Sequence, residues 1–204
     1  ISPLLHTLRY FLMTSLRRAE DERQLVRLSY YDTLTGFYNR NRYIRDINRQ
    51  AQADGSFGIA YLDVNGLKDI NDYYGHDYGD QVLASCAQKI RDAFPTGDFY
   101  RIGGDEFLII MRNIKDSRLP LMKADELRAG IEKLGLEADV QVPLSISVGV
   151  SFYPVDGTDD AVLLYKADKA LYEAKKRGKN NCVIYSKELE NEPFMSQITA
   201  AESE

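Results

Sequence analysis

Two short segments carry most of the chemistry this sequence is equipped to perform. The first is Gly103-Gly104-Asp105-Glu106-Phe107. Adjacent glycines permit positive φ and let the backbone come close to a ligand. Two carboxylates follow, between short β-like runs (Phe99 to Ile102 and Glu106 to Met111) that need no charge there. Successive strand residues face opposite ways, so Asp105 and Glu106 do not decorate one common surface. Glycines plus acids form a platform for phosphate and for a hard cation such as Mg²⁺, which takes oxygen ligands and bridges to substrate phosphates.

The second segment surrounds Asp63, which closes the apolar run Phe57 to Leu62. A carboxylate at the C-terminal end of a buried strand suits a ligand site in an α/β fold. Capping of the following turn is the competing explanation. A calcium loop starting at Asp63 is excluded, because its fifth, sixth and twelfth positions are Leu67, Lys68 and Tyr74. Lys68 can hold phosphate as a point charge. Asn71 and Asp80, one amide and one acceptor-only carboxylate, can read a base edge. For each of these the alternative is helix capping or solvent exposure. His76 is expected to be structural. Lys175, Lys176, Arg177 and Lys179 gather at a helix end, where the helix dipole alone favours cations. A phosphate role there depends on the other motifs.

The elements that must position these residues can be read from periodicity. Leu5, Leu8, Leu12, Ala19 and Val26 follow helical spacing, with Pro3 near the start, which predicts an amphipathic helix over residues 1 to 30. Ser15 and Glu22 interrupt its apolar stripe, so a dimerising stalk and a helix packed on its own domain both remain open. Asn39 can cap a helix through Ile44 and Ile47. Helices are predicted over 68–74, closed by Gly75, over 79–94, 119–134 and 159–177. Strands are predicted over 57–62, 99–102, 106–111, 142–153 and 182–185, and the acidic tail after Lys187 is expected to fray. Strands alternating with helices around a central hairpin imply an α/β (α+β) layer fold with a mixed sheet flanked by helices. The expected division is a signalling or dimerising helix over 1–30, a catalytic domain over 31–187 and an acidic tail over 188–204.

The 204 residues suffice for one well-packed domain and an appended segment. A net charge of -5 argues against binding of a nucleic-acid polymer. A locally positive nucleotide site remains compatible with it. Cys86 and Cys182 fit neither a disulfide framework nor a metal cluster, and read as reduced thiols of a cytoplasmic protein. No apolar run reaches the roughly 18 residues that span a bilayer. The chain opens on Ile1 rather than Met, so membrane contact is expected only through a region preceding it.

Taken together, the motifs resemble the GGDEF family of diguanylate cyclases from about Asp32 to Tyr185. They are Asp32-Thr33-Leu34-Thr35-Gly36-Phe37-Tyr38-Asn39-Arg40, then Asp63 to Asp80, Arg101 to Phe107, Ser147-Val148-Gly149-Val150, and Ala167 to Lys175, in the family's order. The resemblance implies a polymerase-palm-like fold and two GTP joined into cyclic di-GMP by facing protomers of a homodimer. It implies Mg²⁺, with Mn²⁺ as the alternative, held by Asp63, the Val64 carbonyl, Asp105 and Glu106. It makes Asp105 the base for the 3′-hydroxyl, with Glu106 supporting the metal or the deprotonation. Lys68, Lys175 and Lys179 match residues on the phosphates, and Asn71 and Asp80 the guanine-reading pair. Asn65 stands where the family often has a second acid, and is expected still to offer an oxygen ligand. The family's Arg-x-x-Asp inhibitory site falls on Phe94 to Gly97, with Asp98 displaced by one, so product inhibition is not expected.

Overall fold

The computed structural model describes residues 3–52, 55–114, 118–137, 142–191 and 193–194. A long helix, α1 (Pro3–Tyr30), runs into the Asp32–Gly36 turn. The domain proper follows as β1 (Tyr38–Asn39), α2 (Arg40–Gln52), β2 (Phe57–Asn65), α3 (Leu67–Tyr74) and α4 (His76–Ala93). Then come β3 (Asp98–Arg101), β4 (Glu106–Arg112), α5 (Arg118–Glu137), β5 (Ser145–Tyr153), α6 (Asp160–Lys176), β6 (Cys182–Ile184) and a 3₁₀ turn (Lys187–Asn191).

The strands form one six-stranded mixed sheet in the order β1-β3-β4-β2-β5-β6. β2 is central and antiparallel to both neighbours. Its nine residues are all buried, which is why it reads as an unbroken apolar run rather than an alternating one. Alternation still divides its faces. Ala60, Leu62 and Val64 join Ile70, Leu83 and Ile90 of α3 and α4 in one core. Phe57, Ile59 and Tyr61 join Tyr43 and Ile47 of α2 and Leu163 and Leu171 of α6 in the other. The mixed sheet flanked by helices is the architecture expected from the sequence.

Local chemistry accounts for the boundaries. Asn39 Oδ1 accepts from the Arg42 amide at 3.1 Å, and Asp159 Oδ1 accepts from the Val162 amide at 3.1 Å, so α2 and α6 each begin on a side-chain cap. Gly75, at φ 87°, is the single residue separating α3 from α4. α4 therefore starts at His76, three residues earlier than periodicity indicates. β2 has Asp63, Val64 and Asn65 as its C-terminal end, where a carboxylate closing a buried strand is expected.

Two expectations change. The segment after Lys187 does not fray at once: Leu189 is buried, and Phe194 lies edge-on to Tyr165 and Tyr172. The rest of the tail lies outside the described residues. For α1, packing on its own domain is not what the chain adopts. Leu8, Phe11, Leu12, Leu16, Leu25 and Val26 are all exposed, Leu8 at 64%. Both cysteines are free, and burial pushes the Cys86 thiol up to about 12, which removes it as a nucleophile. Among the described residues, no helix is long and apolar enough to cross a membrane.

Candidate active site

The register of β2 with β4 sets Asp63 opposite Glu106. Directly opposed residues share a face, here the one that Tyr61 and Ile59 present to α6. α6 lies close because β5 carries Gly149 at the crossing. A Cβ there would overlap the Ala167 carbonyl and the Leu171 backbone of α6. The last turn of the helix thereby brings Lys175 Nζ to 2.5 Å from Asp63 Oδ2. Gly178, at φ 108°, turns the chain, and the positive charge of the next residue, Lys179, also acts on Asp63.

Asp63 is only 7% exposed. Burial raises its carboxyl above the ordinary aspartate value, Lys175 offsets part of that, and the Asp105 charge adds to the rise. Burial likewise raises Glu106, against a hydrogen bond that the Tyr61 hydroxyl donates to it, and the charges of Asp63 and Asp105 push the same way. Asp63, Asp105 and Glu106 thus concentrate more negative charge than their protein surroundings neutralise. Their donor atoms are all hard oxygens. That set fits Mg²⁺ or Mn²⁺, whose remaining ligands come from phosphate and water. Among the described residues, no group of three or more His, Cys, Asp or Glu is placed to hold a metal ion by itself.

The signature hairpin is held from both sides. The Val64 amide donates to the Asp105 carbonyl at 3.0 Å. Arg101 donates through Nε and Nη2 to the Gly104 carbonyl at 3.2 and 2.8 Å, and through Nη1 to both Asp32 oxygens at 3.2 and 3.1 Å. Asp32 also accepts from the Thr35 amide and hydroxyl. Although partial burial opposes it, these bonds and Arg101 hold its carboxyl below the ordinary range. The turn at the end of α1 is therefore pinned to the signature loop. Phe107 anchors the hairpin by full burial against Phe37, at 5.8 Å between ring centroids, which contributes about 2–3 kcal/mol.

The glycines act differently from expectation. Neither Gly103 nor Gly104 has positive φ. A Cβ at Gly103 would meet Glu106 Oε2 at 2.5 Å, so a larger residue there would displace the Glu106 carboxylate. Gly104 faces open space, which leaves its backbone approachable. Asn65 is buried, and its Nδ2 donates to Ser145 Oγ at 3.1 Å and Ser147 Oγ at 3.0 Å, which clamps β2 to β5 through the amide nitrogen.

Asp63, Asp105, Glu106, Lys175 and Lys179 are thus brought together. Lys68, Asn71 and Asp80 sit on the α3–α4 hairpin leaving the same end of β2, with Lys68 and Asp80 exposed and Asn71 half-buried. Gly79 makes room for the Asn71 carboxamide, which a Cβ at that position would overlap. This places Asn71 against the residue preceding Asp80. His76 is exposed at the start of α4. Phe94 is buried, and Asp98 is paired with Arg112 at 2.6 Å. Tyr61 lies outside the motifs, and Arg101 lies within one but has no assigned role. Tyr61 lies two residues before Asp63 on the same strand face, a signal available from the period of two. Arg101 gave no signal of its partner in Asp32, which is distant in the chain.

The profile described as "Diguanylate cyclase, GGDEF domain" matches residues 29–181. The chain is 37% identical over 183 residues to Signaling protein YkoW of Bacillus subtilis (strain 168), an alignment covering 85% of this chain and 22% of that protein. It is 30% identical over 174 residues to Diguanylate cyclase TpbB of Pseudomonas aeruginosa, covering 80% of this chain and 39% of that one. The chain therefore spans well under half of these relatives' length. The solved structure of the coiled coil and GGDEF domain of DgcB from Caulobacter crescentus, in complex with c-di-GMP, aligns with a TM-score of 0.77. That alignment covers 90% of this chain and 100% of the other at 24% identity, a likeness of fold.

Proposed function

The chain belongs to the GGDEF, diguanylate cyclase domain family, and on that premise we propose that it joins two GTP molecules into cyclic di-GMP with release of two pyrophosphates. The observation that carries the proposal is the pair of desolvated carboxylates, Asp63 and Glu106, opposed across β2 and β4 beside an intact signature hairpin. Phosphoryl transfer needs positioning and charge neutralisation more than covalent help. Mg²⁺, or Mn²⁺ in its place, held by Asp63, the Val64 carbonyl, Asp105 and Glu106, would supply that neutralisation.

The chain's own residues do the rest. Asp105 accepts the proton of a 3′-hydroxyl as its oxygen bonds the α-phosphorus of the facing nucleotide and the bond to pyrophosphate breaks. Tyr61 holds the Glu106 carboxylate in place. Lys175 exchanges its contact with Asp63 for one with the triphosphate, assisted by Lys179 and Lys68. Each chain supplies one nucleotide site, so the reaction needs two protomers face to face, and α1 supplies the device that raises their local concentration.

Incubation of the protein with GTP and Mg²⁺, followed by product chromatography, tests this. The expected products are cyclic di-GMP and pyrophosphate, formed faster per chain as protein concentration rises. GTP bound without turnover at every concentration would mark a nucleotide-binding effector instead.

Asn71 and Asp80 are assigned to guanine, since a carboxylate accepts from the N–H groups of guanine and finds no matching arrangement on adenine. Asp80→Ala is expected to lower the GTP-over-ATP preference in kcat/KM by roughly 10- to 100-fold, as loss of a charged hydrogen-bond acceptor does. An unchanged preference would remove Asp80 from base reading.

A further inference from the structure

Lys179 belongs to no regular element, so something other than a helix or strand must hold it in place. α6 stops at Lys176, and Gly178, Lys179 and Asn180 follow with φ of 108°, 63° and 42°. These three left-handed residues carry the chain into β6, the edge strand of the sheet. Glycine adopts that conformation freely. Lysine and asparagine adopt it at a cost, and keep it only where the surroundings impose it. The amides of Gly178 and Lys179 donate to the Lys175 and Ala174 carbonyls at 3.2 Å, which closes the helix but does not reach Asn180.

Asn180 is held from the other layer of the fold. Ala124, Leu127 and Ile131 of α5 share a core with Ile70, Leu83 and Ile90, whereas Leu163 and Leu171 of α6 lie in the core on the opposite face. Arg128 and Glu132 stand four residues apart on α5, and hence on one side of it. Arg128 Nε donates to Asn180 Oδ1 at 3.2 Å, and Asn180 Nδ2 donates to Glu132 Oε1. The guanidinium only donates and the carboxylate only accepts, so the carboxamide has a single satisfied orientation. Arg128 is itself braced by Asp125 at 2.7 Å. The residue this grip fixes in the chain is the neighbour of Lys179, whose charge is felt at Asp63.

We propose that Arg128 and Glu132 are positioning residues of the nucleotide site: by gripping Asn180 they lock the left-handed turn that presents Lys179 to the triphosphate. Neither residue touches the nucleotide. Both act through Asn180, and Asn180 acts through Lys179. A helix on the far face of the sheet thereby sets the affinity for the phosphates. The inference rests on the cyclase reading, in which Lys179 serves the triphosphate, and adds to it the source of that lysine's placement.

The probe is the α,β-methylene analogue of GTP, which cannot release pyrophosphate, titrated into the whole chain with Mg²⁺ and followed by calorimetry. Lys179→Ala is expected to weaken its binding roughly tenfold, as loss of a charged contact does. Asn180→Gly removes the grip, yet glycine suits the left-handed conformation, so the fold survives. It should weaken binding roughly fivefold, and Glu132→Ala, from an exposed position on α5, roughly threefold, each below the loss of the lysine itself. The Lys179→Ala/Asn180→Gly double variant should bind no more weakly than Lys179→Ala, because a residue that acts only through another adds nothing once that other is gone. A merely structural role for Asn180 would add its own loss. Parent affinity in either Asn180→Gly or Glu132→Ala, or additive losses in the double variant, would overturn the clamp and leave the cyclase reading standing. Parent affinity in Lys179→Ala would remove Lys179 from the triphosphate, and absence of binding by the parent protein would overturn the nucleotide reading. The clamp falls with either.

Discussion

Glu106→Gln is expected to be inert and yet more stable than the parent protein. The inertness follows from loss of a charge that the reaction needs beside Asp63: kcat should fall by about 10³-fold or more, as when preorganised electrostatic stabilisation is removed from a phosphoryl-transfer site. The gain in stability follows from the price of that same charge in the resting protein. Burial and the nearby Asp63 and Asp105 carboxylates raise the folded-state value of Glu106. For a carboxyl so raised, the ionised form is less favourable in the folded than in the unfolded chain. The penalty is fully present above the folded-state value. It disappears as pH falls from there to the ordinary value of 4.5. Glutamine removes the charge and keeps an acceptor for the Tyr61 hydroxyl.

Without divalent cation at neutral pH, the midpoint of thermal unfolding should therefore lie above that of the parent protein. The difference should shrink toward zero as the pH is lowered through that window. Asp63→Asn makes the contrast. It is equally inert, but it leaves Lys175 without the carboxylate it contacts at 2.5 Å, so no comparable stabilisation is expected. Normal turnover by folded Glu106→Gln would remove the acidic pair from the mechanism. A variant less stable than the parent would show that Glu106 contributes to the fold rather than being strained by it.

The same residues show what could be read from the chain and what could not. Asp63 stood out because a lone carboxylate ending a buried apolar run has few structural uses, and Gly103 to Phe107 because strands do not need two acids at a turn. Both signals are local. What escaped was settled by pairing across the sheet. That Asp63 faces Glu106, and not Asp105, follows from the β2–β4 register, which no period in either strand reveals. Pairing across the sheet also decides what Gly103 and Asn65 touch: Glu106 folds back over the glycine, and the Asn65 amide nitrogen bonds two serines of β5.

Removing residues 1–28 is expected to leave the domain intact and to make its turnover strongly dependent on concentration. Of the described side chains of α1, only Thr14 and Tyr30 are even partly buried. The contacts that tie the helix to the domain lie at its end. The Asn39 side chain donates to the Ser29 carbonyl at 3.0 Å, and the guanidinium groups of Arg42 and Arg45 lie 5.8 and 5.6 Å from the Tyr30 ring centroid. A cut before Ser29 keeps all of these, together with the Asp32–Arg101 connection to the signature loop. The unfolding midpoint of the remainder should move by less than about 2 °C, since little packed surface is lost.

In the proposed homodimer, the exposed leucines and Phe11 are buried against a second α1. Association through such a stalk holds two domains at an effective concentration of about 1 mM. Without it, encounter becomes bimolecular. At chain concentrations near 10 μM, turnover per chain should fall by about 100-fold and recover in proportion as protein is added. Turnover per chain that is unchanged by the truncation would mean that the two nucleotide sites meet without α1. A domain that loses stability with it would mean that the helix packs on its own chain in solution.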